Sequence, residues 1–143
     1  MASFSHTVEI RQPPADVFPW LLEEDKVPRW TGHLERYEQL DGSLRTGSRV
    51  RQVLEVSGRT IDVEMEVVAY EPPTGAQTSF ATNGIEVVSS YALEAAGAGT
   101  RLTQSVEAKP SGFTARMLVP VVQPRLEEKL TQDLERLRET LGG

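Results

Sequence analysis

Residues 49–67 read RVRQVLEV, SG and RTIDVEMEV, and the alternation in this stretch decides the sheet. If Ser57-Gly58 forms a two-residue hairpin loop, the register of the two flanking strands follows directly. The facing pairs are then Leu54–Ile61, Gln52–Val63 and Val50–Met65 on one side, and Arg51–Glu64 and Arg49–Glu66 on the other. Mostly apolar residues meet on one face and opposite charges on the other, so we predict an antiparallel ribbon with one buried face.

The same pattern continues on both sides of this ribbon. Asn83-Gly84 is a strong hairpin signal, and it pairs Phe80 with Val87 and Thr78 with Ser89. A third turn at residues 97–99 then places Tyr91 opposite Gln104 and Leu93 opposite Leu102. Residues 4–10 alternate as well, and residues 34–40 form a weaker strand. We therefore predict about seven strands in one antiparallel sheet.

Helical signals flank the strands. Pro14, Pro19 and Pro28 allow only two short helices after the first strand. The last thirty residues carry an apolar stripe at helical spacing, made of Leu118, Val122, Leu126, Leu130, Leu134, Leu137 and Leu141. Pro120 and Pro124 predict that the regular helix begins only near Arg125. The stripe could form a coiled coil, but we favour packing on the sheet, because a sheet with one apolar face needs a cover.

Composition excludes several classes of protein. The 143 residues suit a single domain, residues 1–143, and contain no cysteine and two histidines, with a net charge of −6. Disulfides, thiolate metal sites and three-histidine metal sites are excluded, and we predict no metal and no cofactor. The sequence has no block of basic residues, so we predict no nucleic-acid partner. It has no apolar run long enough for an integral membrane segment. Without a recognisable leader, we expect a cytoplasmic protein.

Several motifs follow one another in a characteristic order. They are VEIRQPPADVF at residues 8–18, Trp30, GSR at residues 47–49, YEPP at residues 70–73 and GTRLT at residues 99–103. Their order resembles the START/SRPBCC superfamily of polyketide cyclase/dehydrase-like, lipid-transfer and pollen-allergen-type proteins. The resemblance covers the whole chain and implies a helix-grip α+β fold, in which a twisted antiparallel sheet wraps around a long C-terminal helix. It also implies a cavity between the sheet and that helix.

The inward sheet faces carry polar residues among apolar ones. A buried polar group without a partner costs about 1–3 kcal/mol, so these side chains must bond each other, hold water or orient a ligand. An apolar pocket with a few polar groups is typical of a small-molecule site. The candidate ligand-binding residues are Trp30, Gln52, Leu54, Met65, Thr78, Phe80, Ser89, Tyr91 and Gln104. Trp30 is included because it resembles the tryptophan that the superfamily has near its cavity.

Three functions remain open. We favour binding of a small hydrophobic or amphipathic molecule (a lipid, polyketide or aromatic) by a monomer or weak homodimer. A polyketide cyclase/dehydrase-like enzyme would need proton carriers. His6 and Tyr91 are the one plausible acid–base pair, although no inward carboxylate partners the Tyr91 hydroxyl. A protein-partner module, resembling the chaperone ATPase activators of this fold, would use the acidic outer face. Asp62, Glu64 and Glu66 on that face are interpreted as a solvated charge ladder rather than as a metal site.

Overall fold

The fold is α+β, and the described residues form seven strands, two helices and two single turns of 3-10 helix. A computed structural model describes residues 2–56 and 58–142, and leaves out the side chains of residues 2 and 56. The strands are β1 (Ala2–Ile10), β2 (Leu34–Gln39), β3 (Arg49–Val56), β4 (Arg59–Glu71), β5 (Gly75–Thr82), β6 (Ile85–Ala96) and β7 (Gly99–Pro110). The helices are α1 (Pro14–Val17) and α2 (Phe113–Thr140), and the 3-10 turns are Phe18–Trp20 and Val27–Arg29. The predicted helix-grip architecture is confirmed.

The strands form one antiparallel sheet in the order β1-β7-β6-β5-β4-β3-β2. The registers predicted for the three hairpins are confirmed, with Leu54 opposite Ile61, Thr78 opposite Ser89 and Tyr91 opposite Gln104. The predicted loop Ser57-Gly58 lies partly outside the described residues, because Ser57 is not described. Asn83 and Gly84 have φ of 52° and 76°, the left-handed pair that a tight two-residue hairpin loop requires.

The charged outer face has the predicted register but different ion pairs. Arg51 lies opposite Glu64 in the ladder, yet its guanidinium binds both carboxylate oxygens of Asp62, at 3.1 and 2.6 Å. Arg49 likewise binds Asp41, at 2.9 Å, and lies 3.7 Å from Glu64. Long arginine side chains reach diagonal neighbours across strands, as Arg51 does, or residues between strands, as Arg49 does, so facing positions do not determine the ion pairs. These solvated pairs support the charge-ladder interpretation.

The prediction that the regular C-terminal helix begins near Arg125 is wrong. α2 runs without interruption from Phe113 and contains both Pro120 and Pro124. Both prolines lie on the exposed side of the helix. Proline removes the donor for the carbonyl four residues earlier, but on this side water can bond the freed carbonyl, so the helix continues.

The core lies between the inner sheet face and the C-terminal half of α2. Leu130, Leu134, Leu137 and Leu141 of the leucine stripe are all buried, whereas Leu118 is 37% exposed. The short helices cover one end with Val17, Phe18, Leu21, Leu22 and Val27, which are buried. Because these leucines are buried, the stripe packs on the chain's own sheet, as predicted.

Among the described residues, no helix has the length and hydropathy needed to cross a membrane.

Candidate functional site

A cavity of about 140 Å³ lies between the inner sheet face and α2, next to the short helices. Its walls are mostly apolar side chains from all seven strands, from the segment around Trp30 and from about two turns of α2, residues 126–133. All nine residues predicted as ligand-binding line this cavity: Trp30, Gln52, Leu54, Met65, Thr78, Phe80, Ser89, Tyr91 and Gln104. The alternation of the strands brings them together, because residues two apart along a strand share one face.

A hydrogen-bonded pair lies on the β6–β7 wall. The Nε2 of Gln104 donates to the Tyr91 hydroxyl at 3.2 Å. Burial raises the pKa of Tyr91 well above its usual range, and the nearby charge of Asp133 raises it further. The phenol therefore stays protonated at neutral pH and keeps an O–H donor at the cavity wall.

Thr78 and Ser89 lie opposite each other in the ladder between β5 and β6. No side-chain hydrogen bond of either residue is found within residues 2–56 and 58–142, although both line the cavity. In the same part of the chain, no buried side-chain nitrogen or oxygen lacks a partner. The two hydroxyls must therefore be accessible from the cavity, where water or a ligand can bond them.

Among the described residues, the amide of Gln52 has one side-chain hydrogen-bond partner, and it is a weak acceptor. Its Nε2 lies 3.0 Å from the sulfur of Met65, and a thioether accepts hydrogen bonds poorly. The amide thus retains most of its hydrogen-bonding capacity. Gln52, Thr78 and Ser89 together supply donors and acceptors to an otherwise apolar space.

The short-helix end of the cavity is held by two hydrogen bonds, one buried and one partly buried. The indole Nε1 of Trp30 donates to the carbonyl of Trp20 at 2.8 Å, and the Tyr37 hydroxyl donates to the carbonyl of Leu22 at 2.7 Å. Burial raises the pKa of Tyr37 far above its ordinary value, so this donor is permanent at physiological pH. Both aromatic rings are thereby fixed in the cavity wall.

Sequence reasoning missed a charged cluster on α2 at the cavity edge. Asp133 is 6% exposed and lines the cavity together with Lys129. One carboxylate oxygen accepts from the backbone N–H of Gly32 at 2.9 Å and from Arg136 at 3.3 Å, and the other accepts from Lys129. Arg136 also donates to the carbonyl of Trp30 at 3.0 Å. The cluster therefore ties α2 to the loop after the short helices.

The structure does not bring both candidate proton carriers to the cavity. Tyr91 lines it, but His6 is not among the lining residues. The Nε2 of His6 instead lies 3.1 Å from a carboxylate oxygen of Glu135 on α2. Hydrogen bonds from His6 and Arg138 lower the pKa of Glu135. The contact between His6 and Glu135 joins β1 to the helix at a partly exposed site.

Fold and cavity together define a helix-grip protein with an internal pocket. The chain belongs to the family described as "Polyketide cyclase / dehydrase and lipid transport", which it matches over residues 1–142. This places it in the START/SRPBCC superfamily that the motifs indicate. A comparison with curated proteins found no match.

Many solved structures share this fold, and the three described next are distant from this chain in sequence. The crystal structure of Ara h 8.0201 has a TM-score of 0.79 at 18% identity, covering 98% of this chain and 97% of that one. The protein TTHA0849 from Thermus thermophilus has a TM-score of 0.80 at 15% identity, with 98% and 97% covered. The di-domain ARO/CYC StfQ from the steffimycin biosynthetic pathway has a TM-score of 0.79 at 13% identity, with 96% and 50% covered. At these identities the likeness shows the fold alone.

Proposed function

We propose that this protein binds a small hydrophobic or amphipathic molecule in the cavity between its sheet and α2. The observation that carries the proposal is a mostly apolar space of about 140 Å³, bordered by polar groups with spare hydrogen-bonding capacity. Family membership supports the same class of function, because the family's description covers cyclases, dehydrases and lipid transport.

The volume favours one ligand class among lipids, polyketides and aromatics. An engineered apolar cavity of about 150 Å³ in another protein binds benzene, so a space of this size accepts roughly one aromatic ring. A long acyl chain or a multi-ring polyketide would need the helix to move outward. We therefore expect single-ring aromatic compounds to bind first.

The polar groups predict which rings bind best. Gln52, Thr78 and Ser89 offer donors and acceptors inside the cavity, and Tyr91 offers a hydroxyl. A ring with one hydroxyl can satisfy such groups, whereas an unsubstituted ring leaves them without a partner. Phenols should therefore bind more tightly than benzene or toluene.

The test is ligand-observed NMR or calorimetry with 4-methylphenol, with toluene as the apolar comparison. For eight non-hydrogen atoms we expect a Kd on the order of 0.1–1 mM for the phenol. Ser89→Leu fills part of the cavity and should abolish this binding. Ser105→Leu is the matched control, because Ser105 lies on an exposed position of the neighbouring strand. Equal binding by both variants, or no binding by the wild type, would contradict the proposal.

The two other functions have less support. A cyclase-like reaction needs a proton carrier beside the ligand, and of the two candidates only Tyr91 borders the cavity. A protein-partner role on the outer face stays a prediction. It can be tested by pull-down at increasing salt, since an electrostatic complex weakens as charges are screened.

A further inference from the structure

The N-terminal half of α2 exposes an apolar row that the cavity does not explain. The row consists of Phe113, Met117 and Val121, which are 78%, 63% and 63% exposed. Their spacing of four residues places them along one side of the helix. Exposed side chains of this size, in a continuous row, are unusual on a monomeric protein and mark an interaction surface.

Two arginines flank the apolar row. At about 100° per residue, Arg116 and Arg125 lie roughly 100° and 80° from Met117, on opposite sides of the helix. Both arginines are exposed, and the described part of the chain provides no ion pair for either of them. The result is an apolar centre with an available positive charge on each side.

The charge of this segment is opposite to that of the rest of the protein. Residues 113–125 carry two arginines and no acidic residue, which is a net charge of +2. Because the whole chain carries −6, the remaining residues carry −8. Such a distribution would orient the molecule so that this segment faces a negatively charged surface.

The size and charge of the surface argue against a second copy of this chain as its partner. Together with Leu118, the row presents on the order of 400 Å² of apolar surface, whereas a stable interface buries about 800 Å² per partner. Two copies would also bring four unpaired arginines together. A lipid surface needs no minimum buried area of this kind and does not repel the arginines. Apolar side chains enter its interface while arginines contact anionic headgroups.

We propose that the N-terminal half of α2 docks the protein on an anionic lipid surface. Phe113, Met117 and Val121 enter the interfacial region, and Arg116 and Arg125 contact phosphate or carboxylate groups of the lipids. The helix lies in the plane of the interface and does not cross it. None of these five residues lines the cavity, so docking does not depend on the cavity ligand.

The test is sedimentation of the full chain with large unilamellar vesicles, either pure phosphatidylcholine or with about a third phosphatidylserine. We expect partition only into the anionic vesicles, and weaker partition as salt rises. Arg116→Gln/Arg125→Gln should reduce partition about 30-fold, at roughly one headgroup contact per arginine. Met117→Gln/Val121→Gln should reduce it at least tenfold through lost apolar burial.

Two control variants and one second measurement make the test decisive. Leu40→Gln removes an exposed apolar side chain elsewhere, and Arg11→Gln/Arg59→Gln removes two exposed arginines elsewhere, so both should partition like the wild type. The proposal is overturned if the wild type does not partition, or if it partitions equally into both kinds of vesicle. It is also overturned if the control variants lose as much partition as the α2 variants. It is also overturned if the wild type sediments as a dimer in buffer and Met117→Gln/Val121→Gln as a monomer, because a second copy then covers the row.

Discussion

Replacing Asp133 by alanine should loosen α2 from the loop that carries Gly32. The substitution leaves the backbone N–H of Gly32 without the carboxylate it bonds at 2.9 Å, and a hydrogen bond to a charged group is worth about 1.5–3 kcal/mol. The Lys129 and Arg136 side chains are 22% and 46% exposed, so both regain water and each pair contributes less than about 1 kcal/mol.

Together these terms predict a loss of about 3 kcal/mol in the free energy of unfolding for Asp133→Ala. For a chain of this length that corresponds to a Tm lower by roughly 10 °C. Asp133→Asn keeps an acceptor for Gly32 and removes only the charge, so it should cost about 1 kcal/mol. The assay is urea unfolding followed by tryptophan fluorescence, since Trp30 lies beside the affected loop.

Glu128→Ala is the matched control, because Glu128 is exposed on the same helix and bonds only Gln132 in the described part of the chain. Glu128→Ala should change the free energy of unfolding by no more than about 0.5 kcal/mol. A loss of less than about 1 kcal/mol for Asp133→Ala would show that the Gly32 bond does not hold the helix. If Asp133→Asn loses as much stability as Asp133→Ala, the charge of Asp133, and not its bond to Gly32, holds the helix.

Two further predictions concern the same helix. Leu134→Ala should lower the free energy of unfolding by about 2–5 kcal/mol, because Leu134 is fully buried. Leu118→Ala should lower it by under about 1 kcal/mol, because Leu118 is 37% exposed. Equal losses in thermal unfolding would show that Leu134 does not pack in the core as the structure has it. The lowered pKa of Glu135 means that its contribution is present above the unfolded value of 4.5 and is lost as pH falls through the folded value. Wild type should therefore be more stable than Glu135→Gln near pH 7, by less than about 1 kcal/mol since the side chain is 39% exposed, and this difference should shrink as the pH falls below 4.5. A difference in unfolding midpoint that stays the same from pH 7 to acidic pH would exclude this linkage.

The sheet and its inner face could be predicted because strand residues alternate strictly. Once Asn83-Gly84 set the turn, Thr78 and Ser89 had to face each other, and both had to lie on the same side as Gln104. Ion pairs such as Arg51–Asp62 could not be predicted this way, because long side chains choose among several neighbours. Register is a backbone property, and side-chain pairing is not.

The helix was harder to predict for two physical reasons. Pro120 and Pro124 normally stop a helix, and only their position on the exposed side lets α2 continue. Asp133 looks like a solvent-facing residue in a leucine-rich helix, and its burial depends on the loop at Gly32, which lies 101 residues earlier in the chain. A signal was nevertheless present, since Lys129 and Arg136 lie four residues before it and three residues after it, the spacing of helical ion pairs.

The pairing of the first strand with the last has a consequence for biosynthesis. β1 lies at one edge of the sheet and its only ladder partner in the described part of the chain is β7, with Ala2 opposite Ala108 and Ile10 opposite Thr100. At a synthesis rate of about 5–20 residues per second, β1 leaves the ribosome roughly 5–20 s before β7 can join it. During that interval its apolar side chains Phe4, Val8 and Ile10 have no native strand beside them, so the nascent chain must be kept from pairing with other chains until its last hairpin is made.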